Sequence, residues 1–177
     1  MANREALREL QNRLAAKLEA SKEAGVVASW LAVESAGTRY LIPLRQAGEI
    51  FPVPHLQPVA HTQPWFRGVA NLRGGLYGVV DFGGFLGAPP SVAPTRDGAA
   101  SDARLVTFNG LLDFNAALLF DRLWGLRGPE AFTRQDAPAP GAPAWFGQRY
   151  TDTGELPWQE INLQALCSQD RFVQIRA

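Results

Sequence analysis

The chain is poor in the residues and patterns on which much protein chemistry depends. It has one cysteine, Cys167, which excludes an internal disulfide and a thiolate metal cluster. That residue falls in LQALC, where a small apolar role on a late helix suits it better than a reactive thiol. The two histidines, His55 and His61, share a proline-rich loop, PHLQPVAHTQP. Their spacing does not match the three- or four-residue interval of helical metal pairs, so both are expected to face solvent and no metal is expected. Neither sign of charge is in excess, with 17 Lys and Arg against 17 Asp and Glu, and no block of like charge stands out. This removes the footprint of a nucleic-acid partner and of attraction to anionic lipid. No apolar run approaches the roughly 18 residues of a membrane span. The opening MANREALREL is charged where a signal peptide has its apolar core, so the protein is expected to be cytoplasmic, without membrane insertion.

What is present is the material of a folded core. Hydrophobic residues make up 46% of the 177 and charged residues 19%, enough for one domain or two small lobes that share a core. Between Asn3, a suitable N-cap, and Gly25, a suitable stop, Leu7, Leu10, Leu14 and Leu18 recur at helical spacing. This predicts an amphipathic helix over residues 1–25, packed on the domain or offered to a partner. The period then changes to two. Val27, Leu31 and Val33 share a face, as do Tyr40, Ile42 and Leu44, and again Leu76, Gly78, Val80 and Phe82. The stretches 104–109, 117–126, 144–150 and 171–176 read the same way. Short strands between Gly, Pro and Asn turns indicate a mainly β fold of barrels or sandwiches with peripheral helices. Residues 87–104 and 128–143 have no period and are rich in Ala, Pro and Gly, so they are expected to be flexible loops, the first dividing the chain into two lobes.

Catalytic signals are sparse. There is no G-x-S-x-G elbow and no evident Cys–His pairing. Asp81, Asp113, Asp121 and Glu160 are available for acid–base chemistry if the fold gathers them, although a carboxylate at a strand end ordinarily has a structural task. Residues 66–86, FRGVANLRGGLYGVVDFGGFL, contain a glycine-rich run around an arginine. A P-loop would need Lys and Ser or Thr after its last glycine, but Gly74 is followed by Gly75-Leu76. A dinucleotide fingerprint would open a helix, whereas Gly74-Gly75 opens a strand pattern. No cofactor is expected. The remaining reading is a tight turn, shaped by Asn71 and the glycines, with Arg73 at its apex.

RGVANLRGGLYGVVDF resembles the signature of the CheW-like chemotaxis coupling family, chiefly through Asn71-Leu72-Arg73-Gly74. Upstream, RYLIPLRQAGEIFPVP is similar to the family's strand followed by a short turn with Glu-Ile. Downstream, ALLFDRLWGL resembles its apolar strand ending in a Val-Asp-type pair, here Phe120-Asp121, and ELPWQEINLQALCSQDRF its last strand and short helix. The likeness covers about residues 26–175. Within the family, the amphipathic N-terminus and Tyr77-Gly78, where many members have a proline, look most like the PilI-type branch of type IV pilus signalling systems. The long 87–104 linker and Gly78 depart from the family pattern.

The resemblance implies a CheW-like domain over residues 26–177, made of two interlocked five-stranded SH3-like β-barrels without catalytic site or cofactor. It implies a non-enzymatic adaptor that bridges the tip of a methyl-accepting chemoreceptor to the regulatory domain of a chemotaxis-type histidine kinase, in control of twitching motility. Asn71, Arg73 and Gly74 then match the receptor-side loop, and Glu49 and Ile50 the kinase-side surface. Two other classes remain open on the residues alone. An enzyme would gather the carboxylates named above in a cleft between lobes. A small-molecule-binding barrel would be hollow, whereas Trp30, Phe82, Phe108 and Trp124 are large inward candidates that favour filled barrels.

Overall fold

The computed structural model describes residues 29–89 and 102–177. The helix expected over residues 1–25 lies outside the described residues, as does most of the 87–104 linker. Among the described residues, the first strands are β1 (Trp30–Ser35), β2 (Thr38–Pro43), β3 (Ala47–Pro52), β4 (Phe66–Leu72) and β5 (Gly75–Asp81), followed by the one-turn helix α1 (Phe82–Phe85). Then come β6 (Arg104–Phe108), β7 (Ala116–Phe120), β8 (Arg122–Arg127), β9 (Phe132–Asp136), β10 (Phe146–Asp152) and β11 (Pro157–Ile161). Two short helices, α2 (Leu163–Cys167) and α3 (Asp170–Val173), follow.

The strands form two sheets, ordered β3-β6-β7-β5-β4 and β8-β1-β2-β11-β10-β9, so one sheet has the expected five strands and the other has six. The two sheets do not divide the chain at the linker. β1 and β2 pair with strands from the far end of the sequence, and β6 and β7 return to the sheet of β3 to β5, with parallel pairings β5–β7 and β2–β11. This is the interlocked arrangement rather than two consecutive lobes.

Alternation explains why every residue of β7 is buried. Ala117 and Leu119 face the interior of the five-stranded barrel with Leu72, Val79 and Leu105. Ala116, Leu118 and Phe120 face the opposite way, into a larger core between the sheets. That shared core takes Leu31, Val33, Tyr40 and Ile42 from β1 and β2, as their period predicts. Phe82 lies at its centre, 5.0 Å from Tyr40, 5.3 Å from Phe120 and 5.9 Å from Trp145 between ring centres. The interior of the six-stranded barrel is filled by Ala32, Leu41, Tyr150 and Trp158, with Trp30 and Phe132 packed against them. Phe82 and Phe108 therefore fill the space between barrels, and Trp124 is 37% exposed, so only Trp30 of the four large candidates lines a barrel.

Several local expectations change. Residues 117–126 are two strands, because Asp121 turns the chain: its amide donates to Glu34 O and its Oδ2 accepts from the Ala36 amide at 2.7 Å. Within 128–143, expected to be a loop, Phe132–Asp136 form the edge strand β9. Residues 171–176, expected to be a strand, begin in α3, because Phe172 is drawn into the shared core beside Phe85, Phe114 and Trp65. Leu76, placed on an inward face by its period, is 63% exposed because the β4–β5 hairpin extends past the core.

Candidate protein-partner surface

The Arg73 turn is built by local chemistry. β4 and β5 pair antiparallel, with Asn71 opposite Leu76 and Leu72 opposite Gly75, leaving Arg73 and Gly74 as a two-residue loop. Both have positive φ, 49° and 87°, the mirror-image turn whose twist suits a hairpin. Gly74 adopts this freely, while Arg73 holds it at a cost of about 1 kcal/mol. Asn71 stabilises the turn by accepting the Gly74 amide on Oδ1 at 2.9 Å.

Glu49 and Ile50 lie in β3 itself, not in the turn before it. The β3–β6 register slips between Ala47 and Ile50, and Thr107 fills the gap. The Thr107 hydroxyl accepts the Glu49 amide at 2.8 Å and donates to Glu49 O at 3.2 Å. Gly48 is required there, since a Cβ would lie 2.5 Å from Thr107 Oγ1 and 2.6 Å from Phe108 O. The bulge leaves Glu49 and Ile50 pointing to solvent, and Ile50 is 42% exposed, so it is not a core residue.

These two groups meet. β3 and β4 are opposite edges of the five-stranded sheet, but the sheet curls until Gln57, just past β3, bridges Val69 of β4. Arg73 Nη1 then lies 2.7 Å from Glu49 Oε2, with the two side chains 75% and 55% exposed, and its guanidinium sits 5.7 Å from the centre of the Phe51 ring. Asn71, Arg73, Gly74, Glu49 and Ile50 thus form one continuous surface, to which Leu76 adds an exposed apolar group.

A groove of about 220 Å³ runs between the β5–β7 seam and the C-terminal segment, lined by Phe66, Gly78, Val80, Phe114, Val173 and Ile175, among others. The Gly78 amide donates to Asn115 O at 3.0 Å, a bond that a proline at this position could not make. A Cβ on Gly78 would come within 3.1 Å of Phe66. Of the groove's lining, Gly78 and Val80 were named in the sequence as members of one strand face, and nothing there pointed to a groove, which forms where α3 folds back on the seam.

The carboxylates considered for catalysis have separate structural tasks. Asp81 is fully buried, caps α1 through the Gly84 amide and lies 3.6 Å from Arg67. Asp121 holds the Ala36 amide, and Glu160 accepts from Trp30 Nε1 and the Gln148 amide. Asp113 ends a 3-10 turn in the left-handed region. Among the described residues no group of three or more His, Cys, Asp or Glu is placed to hold a metal ion, and both histidines are exposed.

Comparison with known proteins agrees with this fold. Protein PilI of Pseudomonas aeruginosa is 30% identical over 169 residues, covering 92% of this chain and 88% of that protein. The crystal structure of the scaffolding protein TtCheW from Thermoanaerobacter tengcongensis superposes with a TM-score of 0.63 at 17% identity, covering 80% of this chain and 93% of that one. Residues 29–166 match the CheW-like domain, which takes in all eleven strands described above and both halves of the Arg73–Glu49 pair. The chain therefore belongs to the CheW-like domain family.

Proposed function

We propose that this protein is a non-enzymatic adaptor that couples a methyl-accepting chemoreceptor to a chemotaxis-type sensor histidine kinase, in a system that controls type IV pilus twitching motility. Membership of the CheW-like family and the similarity to PilI support the coupling role and the pilus setting. The observation that carries the residue-level reading is the exposed Arg73–Glu49 pair on a turn held by Asn71. A five-donor guanidinium on a rigid two-residue turn meets carboxylates or carbonyls of a receptor tip with little ordering cost. Asn71, Arg73 and Gly74 serve as the receptor-side contact. Glu49 and Ile50 serve the regulatory domain of the kinase, and the ion pair sits where the two contacts adjoin. The adaptor works in the cytoplasm and joins receptor arrays through its partners; among the described residues no helix is long and apolar enough to cross a membrane.

The test is a pull-down with a purified receptor signalling fragment and a purified kinase regulatory fragment. Arg73→Glu is expected to lose the receptor fragment and keep the kinase fragment, and Glu49→Arg to do the reverse. Unchanged capture of both fragments by Arg73→Glu would overturn the assignment.

A further inference from the structure

The six-stranded sheet carries a second concave site, on elements that do not include the Arg73 hairpin. A hollow of about 270 Å³ lies between the β1–β2 turn and the β10–β11 pair, lined by Gly37, Thr38, Arg39, Arg149, Trp158 and Gln159, with Pro157 at its edge. Two guanidinium groups and no carboxylate line it. The Arg39 guanidinium is 5.5 Å from the centre of the Trp124 ring and 5.9 Å from that of Trp158, and the two indoles meet edge to face at 6.5 Å. Two aromatic faces thus hold this cation in place before any ligand arrives.

Two acids lie near Arg39, and their hydrogen bonds go to other groups. Glu34 Oε2 forms a long ion pair with Arg39 Nε at 3.9 Å, beyond hydrogen-bond distance, and also accepts from Trp124 Nε1 at 3.1 Å. Asp152 accepts the Gly154 and Leu156 amides on Oδ1 and Trp158 Nε1 on Oδ2. Arg39 Nε is buried without an acceptor among the described residues. Arg149 donates its Nε to Ala137 O at 3.0 Å. The Gln159 amide, which forms part of the wall, is fixed by donation to Gly147 O and Glu160 O. A held, planar guanidinium with unused donors is matched by an acceptor with two coplanar oxygens. The nearby charges of Glu34 and Asp152 disfavour a dianion more than a single carboxylate.

We propose that this hollow binds a carboxylate side chain from an acidic segment of a protein partner, with Arg39 and Arg149 supplying the donors. The test follows the side-chain N–H signals of the full chain by NMR during titration with hexaglutamate at low salt, beside a parallel titration with inorganic phosphate. The Trp124 and Trp158 indole signals and the Arg39 Nε signal shift saturably with the peptide, and the Arg73 Nε signal does not. Arg39→Gln and the exposed Arg149→Gln each weaken the peptide about tenfold, the value of one charge-assisted hydrogen bond. No saturable shift, affinity in either variant unchanged from that of the unsubstituted chain, or phosphate binding as tightly as the peptide would overturn the proposal. None of these signals depends on Arg73, so failure here leaves the Arg73 reading intact, and failure of that reading leaves this one to be judged by its own titration.

Discussion

Arg73 illustrates how a residue can be fixed in place and energetically free. Its backbone is set by the hairpin, yet its ion pair with Glu49 is open to water on both sides and contributes at most about 1 kcal/mol. Arg73→Ala is therefore expected to change the free energy of urea unfolding by less than that while weakening capture of the receptor fragment. A loss of several kcal/mol would make the residue structural instead. The turn was legible in the sequence because Asn71 and Gly74 act on their own neighbours. The pairing with Glu49 was not, since nothing local tells two residues 24 apart that barrel closure will join them.

Cys167 behaves as its place on α2 suggests, since burial pushes its thiol up from 9.0 to about 11. Burial also raises the phenols of Tyr40 and Tyr150, the latter with help from Glu160. A raised acid favours the folded state in its protonated form, so this stability is complete below pH 9 and is lost as the unfolded chain gives up its proton first. The melting temperature is expected to fall between pH 9 and pH 11, and less steeply in Cys167→Ala. The sign follows from the unfolded state binding fewer protons in that window. A flat profile would show that the thiol is not held neutral by the fold.

At the scale of elements, alternation read several of the strands that pack on a core, but not β4 or β11, whose Ala70, Leu72, Trp158 and Ile161 are buried. The alternation of Leu31 with Val33 and of Tyr40 with Ile42 reports a face buried in the shared core. β9, Phe132–Asp136, has no such face, because an edge strand that is mostly exposed leaves no period to read. The segment 171–176 does alternate, but Phe172 reaches the core from a helical turn, a tertiary choice that periodicity cannot register. Gly68 marks a point where two elements depend on one missing atom. Its φ is +120°, and a Cβ would overlap the Gln57 carbonyl oxygen, which accepts the Val69 amide and helps close the barrel. Gly68→Ala is expected to cost about 2 kcal/mol or more, read as a lower denaturation midpoint with an unchanged slope. Tolerance of alanine there would mean that the Gln57–Val69 bridge is not needed for closure.

For the whole molecule, composition and period predict a mainly β fold of barrels or sandwiches, and the two interlocked barrels follow from the family resemblance, but neither tells which strands belong to which. The linker at 87–104 suggested a division into halves, because sequence distance is all that a linker reveals. The shared core joins the two sheets through Phe82, whose neighbours Tyr40, Phe120 and Trp145 come from three distant parts of the chain. Phe82→Ala is expected to cost about 3–5 kcal/mol and to lower one transition common to both barrels. Separate transitions for the two sheets, seen by calorimetry or by tryptophan fluorescence against far-ultraviolet circular dichroism, would show that the barrels are energetically independent.

The exchange of strands between the sheets also determines what a break in the chain would leave. Residues 29–89 hold β1 and β2 of one sheet and β3, β4 and β5 of the other, while residues 102–177 hold the remaining strands of both. A cut between them yields two pieces that each present open strand edges and half of a common core. The linker is in this sense the natural seam of a split protein, whose pieces complete one another's sheets only as a pair.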